Sequence, residues 1–332
     1  MKSLKGKSIL RIKDLTPTEL SYLIEEGLNF KKNKKISSKN IGKKAVCFFS
    51  KSSSRTKSAW EVGCYELGIG SSYNDASSSQ LGKKESIKDS ANVFSQFYDI
   101  IGWRCMKYED IEELSKNAKI PCVNLLCNKN HPTQAICDLM TIKEKFGKIN
   151  GIKVAFVGAC NNNVARSLIE GLLMLGGSYI GIGPKKIWPS NNELIEYKKI
   201  ANENNGSIEF VEDVNKLKNV DVIYQDVFLD LGESEDLWPE RLELYKNYQV
   251  DMKKIKYANK DFIYMHCLPA INGSASEYAQ YVSKNYGKKF PFVSNGEVEV
   301  TNDVFSSKNS VVFKQAQNRL YAMKAIIKSI IK

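Results

Sequence analysis

Short apolar runs of strand length alternate with segments whose apolar positions recur every third or fourth residue, and this rhythm holds in both halves of the chain. Ala45 to Phe49 is an unbroken run that predicts a strand, and Lys57 to Leu67 follows it at helical spacing. Ser71 to Tyr73 reads as a short strand, Ser86 to Phe97 as a helix, Ile100 to Trp103 as a strand, Ile111 to Asn117 as a helix and Cys122 to Leu126 as a strand. Thr133 to Phe146 predicts a long helix, with Ile136, Leu139, Met140 and Lys143 on neighbouring turns. Ahead of these, Thr16-Pro17-Thr18-Glu19 is a helix start with a physical cause: a hydroxyl to cap, Pro where an amide hydrogen is dispensable, and Glu three residues after the cap.

The polar, Gly-flanked stretch Gly147 to Gly151 marks a domain boundary. Beyond it Lys153 to Gly158 is apolar enough for a buried parallel strand. A helix near Val164 to Leu175, a strand near Tyr179 to Ile182, a helix near Glu193 to Asn204 and strands at Val220 to Tyr224 and Phe262 to Met265 follow. The final residues place Leu320, Met323, Ile326, Ile327 and Ile330 on one helical stripe. Alternation in both halves predicts an α/β protein of two doubly wound domains with mostly parallel sheets.

A chain of 332 residues is too long for one core to keep growing, which agrees with two domains. The net charge of +12 raises the question of nucleic acid, but the lysines are scattered, with no basic block and no repeated aromatic platform. No nucleic-acid partner is therefore expected; the charge fits a solvated surface or, second, a small phosphorylated anion. The eight cysteines form no C-x-x-C pair and fit buried, reduced thiols of a cytoplasmic protein. With two histidines and no thiolates at ligand spacing, no metal site is expected. Charges break every apolar run of MKSLKGKSILRIKDL, so no signal peptide is expected, and no stretch reaches the roughly 18 apolar residues of a membrane span.

Candidate chemistry gathers where rare residues meet strand ends. Both histidines lie in short motifs, His131-Pro132-Thr133-Gln134 and His266-Cys267-Leu268-Pro269, and only six of the 49 basic residues are Arg. Ser52-Ser53-Ser54-Arg55-Thr56, between a strand and a helix, offers hydroxyls and unpaired amides at a helix N-terminus, where the dipole favours an anion, with Arg55 as a charged fork. The same serines also serve as an ordinary cap. A His-Pro turn is often structural, and Cys267 taken alone is a buried strand-end thiol.

Together these segments resemble the aspartate/ornithine carbamoyltransferase family, and within it the ornithine branch. The family's Ser-Thr-Arg-Thr stands here as Ser53-Ser54-Arg55-Thr56, and its His-Pro-Thr-Gln (131–134) and His-Cys-Leu-Pro (266–269) are intact. Gln80 with Lys84-Glu85-Ser86, Trp103-Arg104, Asn162-Asn163, Asp226 and Gln317-Asn318-Arg319 follow in the same order over nearly the whole chain. Cys267 separates the ornithine branch from the aspartate branch, which has Pro there. The resemblance implies a carbamoyl phosphate-binding domain at 1–147, onto which a C-terminal helix (about 314–332) packs back, and an ornithine-binding domain at 151–313. It implies a homotrimer or an assembly of trimers, no cofactor, and an active site in the cleft between the domains.

By that resemblance, Ser53, Ser54, Arg55 and Thr56 would hold the phosphate of carbamoyl phosphate, with Arg104 as a second cation and Gln80 reaching in from a neighbouring subunit. Arg55, Thr56 and His131 would polarise the carbamoyl oxygen, Gln134 and the carbonyls of Cys267 and Leu268 would hold its nitrogen, and Arg319 would close the far side. Asn163 and Asp226 would orient L-ornithine, and Asp226 with Cys267 would help its side-chain amine lose a proton. The expected catalytic residues are thus Arg55, His131, Cys267 and Asp226. The products are L-citrulline and phosphate, or the reaction runs in reverse.

The chain departs from the pattern where Asp230 and Leu231 stand at the family's Ser and Met in the ornithine loop, and where Ala159 replaces an Asp. An added carboxylate favours a cation and repels an α-carboxylate. A carbamoyltransferase for another amine such as putrescine, or an inactive homologue that only binds carbamoyl phosphate, are therefore the alternatives. A dehydrogenase is disfavoured because Gly158-Ala159-Cys160-Asn161-Asn162-Asn163 lacks the spaced glycines that admit a pyrophosphate.

Overall fold

A computed structural model of the 332-residue chain describes residues 4–33, 36–75, 79–230 and 233–332. Its elements run α1 (Pro17–Lys32), β1 (Lys44–Phe49), α2 (Ser54–Glu66), β2 (Gly70–Asp75), α3 (Ile87–Phe97), β3 (Ile100–Arg104), α4 (Tyr108–Asn117), β4 (Cys122–Leu126) and α5 (Pro132–Phe146). A second run follows: β5 (Lys153–Val157), α6 (Asn163–Met174), β6 (Ser178–Ile182), α7 (Asn191–Glu203), β7 (Ser207–Val211), β8 (Val222–Gln225), α8 (Trp238–Tyr245), α9 (Met252–Ile255), β9 (Ile263–His266), α10 (Glu277–Tyr286) and α11 (Asn302–Phe305). The helix α12 (Val312–Ile330) closes the chain. Two compact units divide it: Met1–Gly147, Arg166–Gly171 and Gln315–Lys332 in the first, Lys148–Ala165 and Leu172–Lys314 in the second.

Among the described residues, the first unit holds a four-stranded sheet in the order β2-β1-β3-β4 and the second a five-stranded sheet in the order β7-β6-β5-β8-β9. Every ladder is parallel. The strands form where the sequence is continuously apolar: Ala45 to Phe49 and all of β3 are buried, so neither face is left for polar side chains. Gly102 in β3 has to be glycine, because a Cβ there would lie 2.7 Å from the buried ring of Trp60. The start of α1 is the expected capping box, with Thr16 accepting from the Glu19 amide and Glu19 reaching back.

The terminal helix α12 packs back on the first unit. Asn318 Nδ2 donates to Thr141 Oγ1 at 3.0 Å, and the fully buried Lys324 meets Glu66 Oε2 at 2.5 Å. In the second unit Phe156 stacks on Tyr224 at 4.8 Å and Phe228 on Tyr245 at 4.7 Å. Burying such a ring contributes about 1.5 to 3 kcal/mol.

Strand order locates the functional ends. In each sheet the chain changes direction across one pair, β1/β3 in the first and β5/β8 in the second. In open parallel sheets the crevice for a ligand forms outside the carboxyl ends of such a pair. The segments leaving those strands are Ser50 to Arg55 and Arg104 in the first unit, Gly158 to Asn163 and Asp226 in the second.

Candidate active site

Ser53 caps α2, accepting from the Thr56 amide, and donates its hydroxyl to Thr56 Oγ1 at 3.1 Å. Thr56 is buried, whereas Ser54 and Arg55 are exposed on the same first turn. Arg319, from α12, brings Nη1 to 3.2 Å from Thr56 Oγ1 and to 3.3 Å from His131 Nε2. Arg104, at the carboxyl end of β3, is buried as well. His131 caps α5, its amide donating to Ser167 Oγ at 2.8 Å. Burial holds the imidazole pKa well below its ordinary value, and the Arg319 and Arg104 charges push the same way. A neutral imidazole, two buried guanidiniums and a helix N-terminus therefore converge at one strand-end corner, an arrangement that can take an anion with several oxygens.

Gln134, one turn into α5, has its amide orientation set by charge. Its Nε2 donates to Asp138 Oδ1 at 2.6 Å, and the same carboxylate oxygen accepts from Gln315 Nε2 at 2.7 Å. With the amine side fixed, Oε1 points elsewhere, buried and without a hydrogen-bond partner. An orphan acceptor of this kind costs about 1 to 3 kcal/mol until a donor meets it. The amide group of a carbamoyl ligand is such a donor.

In the second unit Asp226 follows β8 directly and is buried. Its Oδ2 accepts from Asn162 Nδ2 at 2.8 Å and its Oδ1 from the Val227 amide at 2.9 Å. Burial raises its pKa well above the carboxylate range, and the Asp230 charge adds to the shift. β8 and β9 are paired with Gln225 opposite His266, and the Cys267 amide donates to the Gln225 carbonyl at 3.2 Å, so Asp226 and Cys267 leave the sheet side by side. Asn162 also caps α6 through Oδ1, accepting from the Ala165 amide, with Asn163 next along. Asp230 is exposed; its amide donates to Glu233 Oε2 at 2.9 Å, and Glu233 Oε1 accepts from Arg241 at 2.8 Å.

Family models match both halves: the carbamoyl-P binding domain of aspartate/ornithine carbamoyltransferase over residues 7–144, and its Asp/Orn binding domain over residues 150–330. The chain belongs to the aspartate/ornithine carbamoyltransferase family. It is 38% identical over 330 residues to a catabolic ornithine carbamoyltransferase of Treponema denticola, covering 98% of this chain and 96% of the relative. A catabolic ornithine carbamoyltransferase of Mycoplasma pneumoniae is 40% identical over 341 residues, 98% of this chain and 97% of the relative. The solved ornithine carbamoyltransferase of Pyrococcus furiosus superposes with a TM-score of 0.88 at 35% identity, covering 100% of this chain and 99% of that one. This chain is accordingly a carbamoyltransferase-family enzyme, and the dehydrogenase reading is set aside.

Within this carbamoyltransferase the first unit brings together Ser53, Thr56, Arg104, His131 and Arg319, with Gln134 on the following turn. Gln80 is exposed on its own loop, and Leu231 lies outside the described residues. Cys267 and Leu268 are half-buried in the second unit, the latter joined to Pro269 by a cis peptide bond. Asn162, carried by the Asn162-Asn163 motif, donates to Asp226. Ser167 and Asp138, which brace His131 and Gln134, were not singled out from sequence.

Proposed function

We propose that this enzyme joins carbamoyl phosphate and L-ornithine, giving L-citrulline and phosphate, and that its working direction is the reverse. The corner where Arg319 meets His131 and Thr56 carries the reading, because it supplies what a phosphorylated carbonyl compound needs: fixed cations for the phosphate and a neutral donor for the carbonyl oxygen. The names of both relatives support ornithine, and the word catabolic in them supports phosphorolysis of citrulline. A homotrimer in the cytoplasm, with Gln80 contributed across subunits, completes the proposal.

In this reading Ser53, Ser54, Arg55, Thr56, Arg104 and Arg319 bind the phosphate. His131, with Arg55 and Thr56, draws charge onto the carbonyl oxygen, and Gln134 Oε1 accepts from the carbamoyl nitrogen, a task shared with the carbonyls of Cys267 and Leu268. Asn163, Asp226, Asp230 and Leu231 receive ornithine. The unprotonated side-chain amine attacks the carbonyl carbon, a C–N bond forms, and the C–O bond to phosphate breaks. The proton from the new ammonium passes by way of Asp226 and Cys267 to the departing phosphate. Donors fixed at a developing oxyanion are each worth about 2.7 to 4 kcal/mol, and holding two reactants in line about 7 to 11 kcal/mol.

The second reading, another amine, is favoured by one feature, the Asp230 carboxylate beside Asp226. A carbamoylation assay with ornithine, putrescine and lysine in parallel tests both. Citrulline from ornithine at the highest kcat/KM is the expected result. Preference for putrescine would replace the substrate, and carbamoyl phosphate binding without turnover on any amine would replace the activity.

A further inference from the structure

We propose that Glu299 is a positioning residue for the amine half of the site, its carboxylate acting as a two-point staple between the segment that carries Asp226 and the segment that carries Cys267 and Leu268. The inference rests on the reading of the second unit as the amine-binding half.

Glu299 is fully buried between Val298 and Val300, themselves without exposure. Its backbone is tied in place: the Val250 amide donates to the Glu299 carbonyl at 2.8 Å, and the Val298 amide to the Ile271 carbonyl at 2.7 Å. So anchored, the side chain reaches two backbone segments far away in sequence. One oxygen accepts from the Phe228 amide at 3.4 Å, the other from the Ile271 amide at 2.9 Å. Phe228 is two residues past Asp226, and Ile271 three past Leu268. The Phe228 ring also closes on the loop that precedes Asn162: Gly158 has φ +90°, and a Cβ there would stand 2.8 Å from that ring. The loops leaving β8 and β9 are thereby registered against one buried carboxyl, and the loop leaving β5 against the Phe228 ring.

The chemistry requires a carboxyl group. An amide side chain has one accepting atom and would turn its own N–H₂ toward one of the two amides. An apolar side chain would leave both amides unpaired, at about 1 to 3 kcal/mol each. Burying the acid carries its own cost, visible in a pKa raised to about 7 by desolvation and moderated by those amides. A carboxyl buried at such a cost, bridging the segments that follow Asp226 and Leu268, fixes their spacing and hence the place of the reacting amine.

The test compares wild type with Glu299→Gln and Glu299→Asp. Amide hydrogen exchange needs no substrate: Glu299→Gln is expected to speed exchange in peptides covering both 226–230 and 268–272 while β5 keeps its protection. In kinetics the ornithine KM is expected to rise about 10- to 100-fold. The calorimetric Kd for carbamoyl phosphate, bound by the other unit, stays within about twofold, and Glu299→Asp recovers part of the loss. Unchanged exchange in both segments overturns the staple. So does a defect that falls equally on carbamoyl phosphate affinity and on the melting temperature, since Glu299 would then only hold the fold. Failure of wild type to carbamoylate ornithine would remove the substrate assignment instead, and the exchange comparison would still decide the role of Glu299.

Discussion

Arg319 Nη1 stands 3.3 Å from His131 Nε2, joining residues 188 positions apart. A guanidinium only donates, so Nε2 accepts and the ring proton resides on Nδ1, which faces Thr133 Oγ1 at 3.3 Å. The folded imidazole is thus neutral, as its depressed pKa requires. An unfolded chain takes up a proton at this histidine as pH falls below about 6.5, while the folded chain does not, so the native state loses ground on that side. His131→Asn is expected to flatten the decline, read from urea midpoints between pH 5 and 8, and to lower citrulline formation about 10²- to 10³-fold. An unaltered pH slope would mean that the folded ring carries a proton.

Asp226 carries the opposite sign. Its folded pKa is raised, so its contribution to stability is present at low pH, where both states are protonated, and is lost as pH rises from the unfolded value of about 3.9 through the folded one. Asp226→Asn is expected to make stability less dependent on pH over that range. An ammonium group bound beside Asp226 favours the anion, so the wild-type ornithine KM falls as pH rises through the titration of this group. The variant loses that dependence, and its KM rises about 10- to 100-fold, the equivalent of a hydrogen bond to a charge. A KM profile that is flat in wild type would remove Asp226 from the amine site.

The alternation of strands and helices was legible because the central strands are buried on both faces and read as apolar runs. β7 was not: Ser207-Ile208-Glu209-Phe210-Val211 is a partly exposed edge strand paired with β6 alone, and its polar residues interrupt the signal. The four-residue helices α9 and α11 escaped for another reason, having too few turns to show a period. At the site, Arg104 and His131 were legible as rare residue types at a strand or helix end, and Arg319 as a rare residue type two turns inside the last helix. Glu299 was not, because it acquires its role from a partner 71 residues away, which no local pattern encodes.

Asp230 is the position where this chain most plainly leaves the family pattern. It is exposed, so water screens it, and its effect on a ligand is bounded at about 0.2 to 1 kcal/mol. Replacing it by the family's residue, Asp230→Ser, removes a charge that attracts the α-ammonium of ornithine and repels its α-carboxylate. For a diamine the attraction alone is lost. The ratio of kcat/KM for ornithine to that for putrescine is therefore expected to rise about two- to fivefold. A ratio that falls would show that Asp230 contributes an attractive contact specific to ornithine.

The attachment of α12 determines whether Arg319 reaches the corner at all, and Lys324 is its polar anchor. Its Nζ is fully buried, 2.5 Å from Glu66 Oε2 and 4.5 Å from the centre of the Phe30 ring. Lys328, one turn on, lies 5.1 Å from the same ring. Lys324→Met keeps the length of the stem but strands Glu66, whose side chain retains 27% exposure, so that water relieves part of the loss. A cost of about 1 to 3 kcal/mol follows, below that of a fully buried pair. Adding Glu66→Gln removes the stranded charge and is expected to restore part of that stability, giving a non-additive cycle in urea denaturation. If α12 is held chiefly by its apolar stripe, the two substitutions will instead add, and carbamoyl phosphate affinity, which depends on Arg319, will be the same in all four proteins.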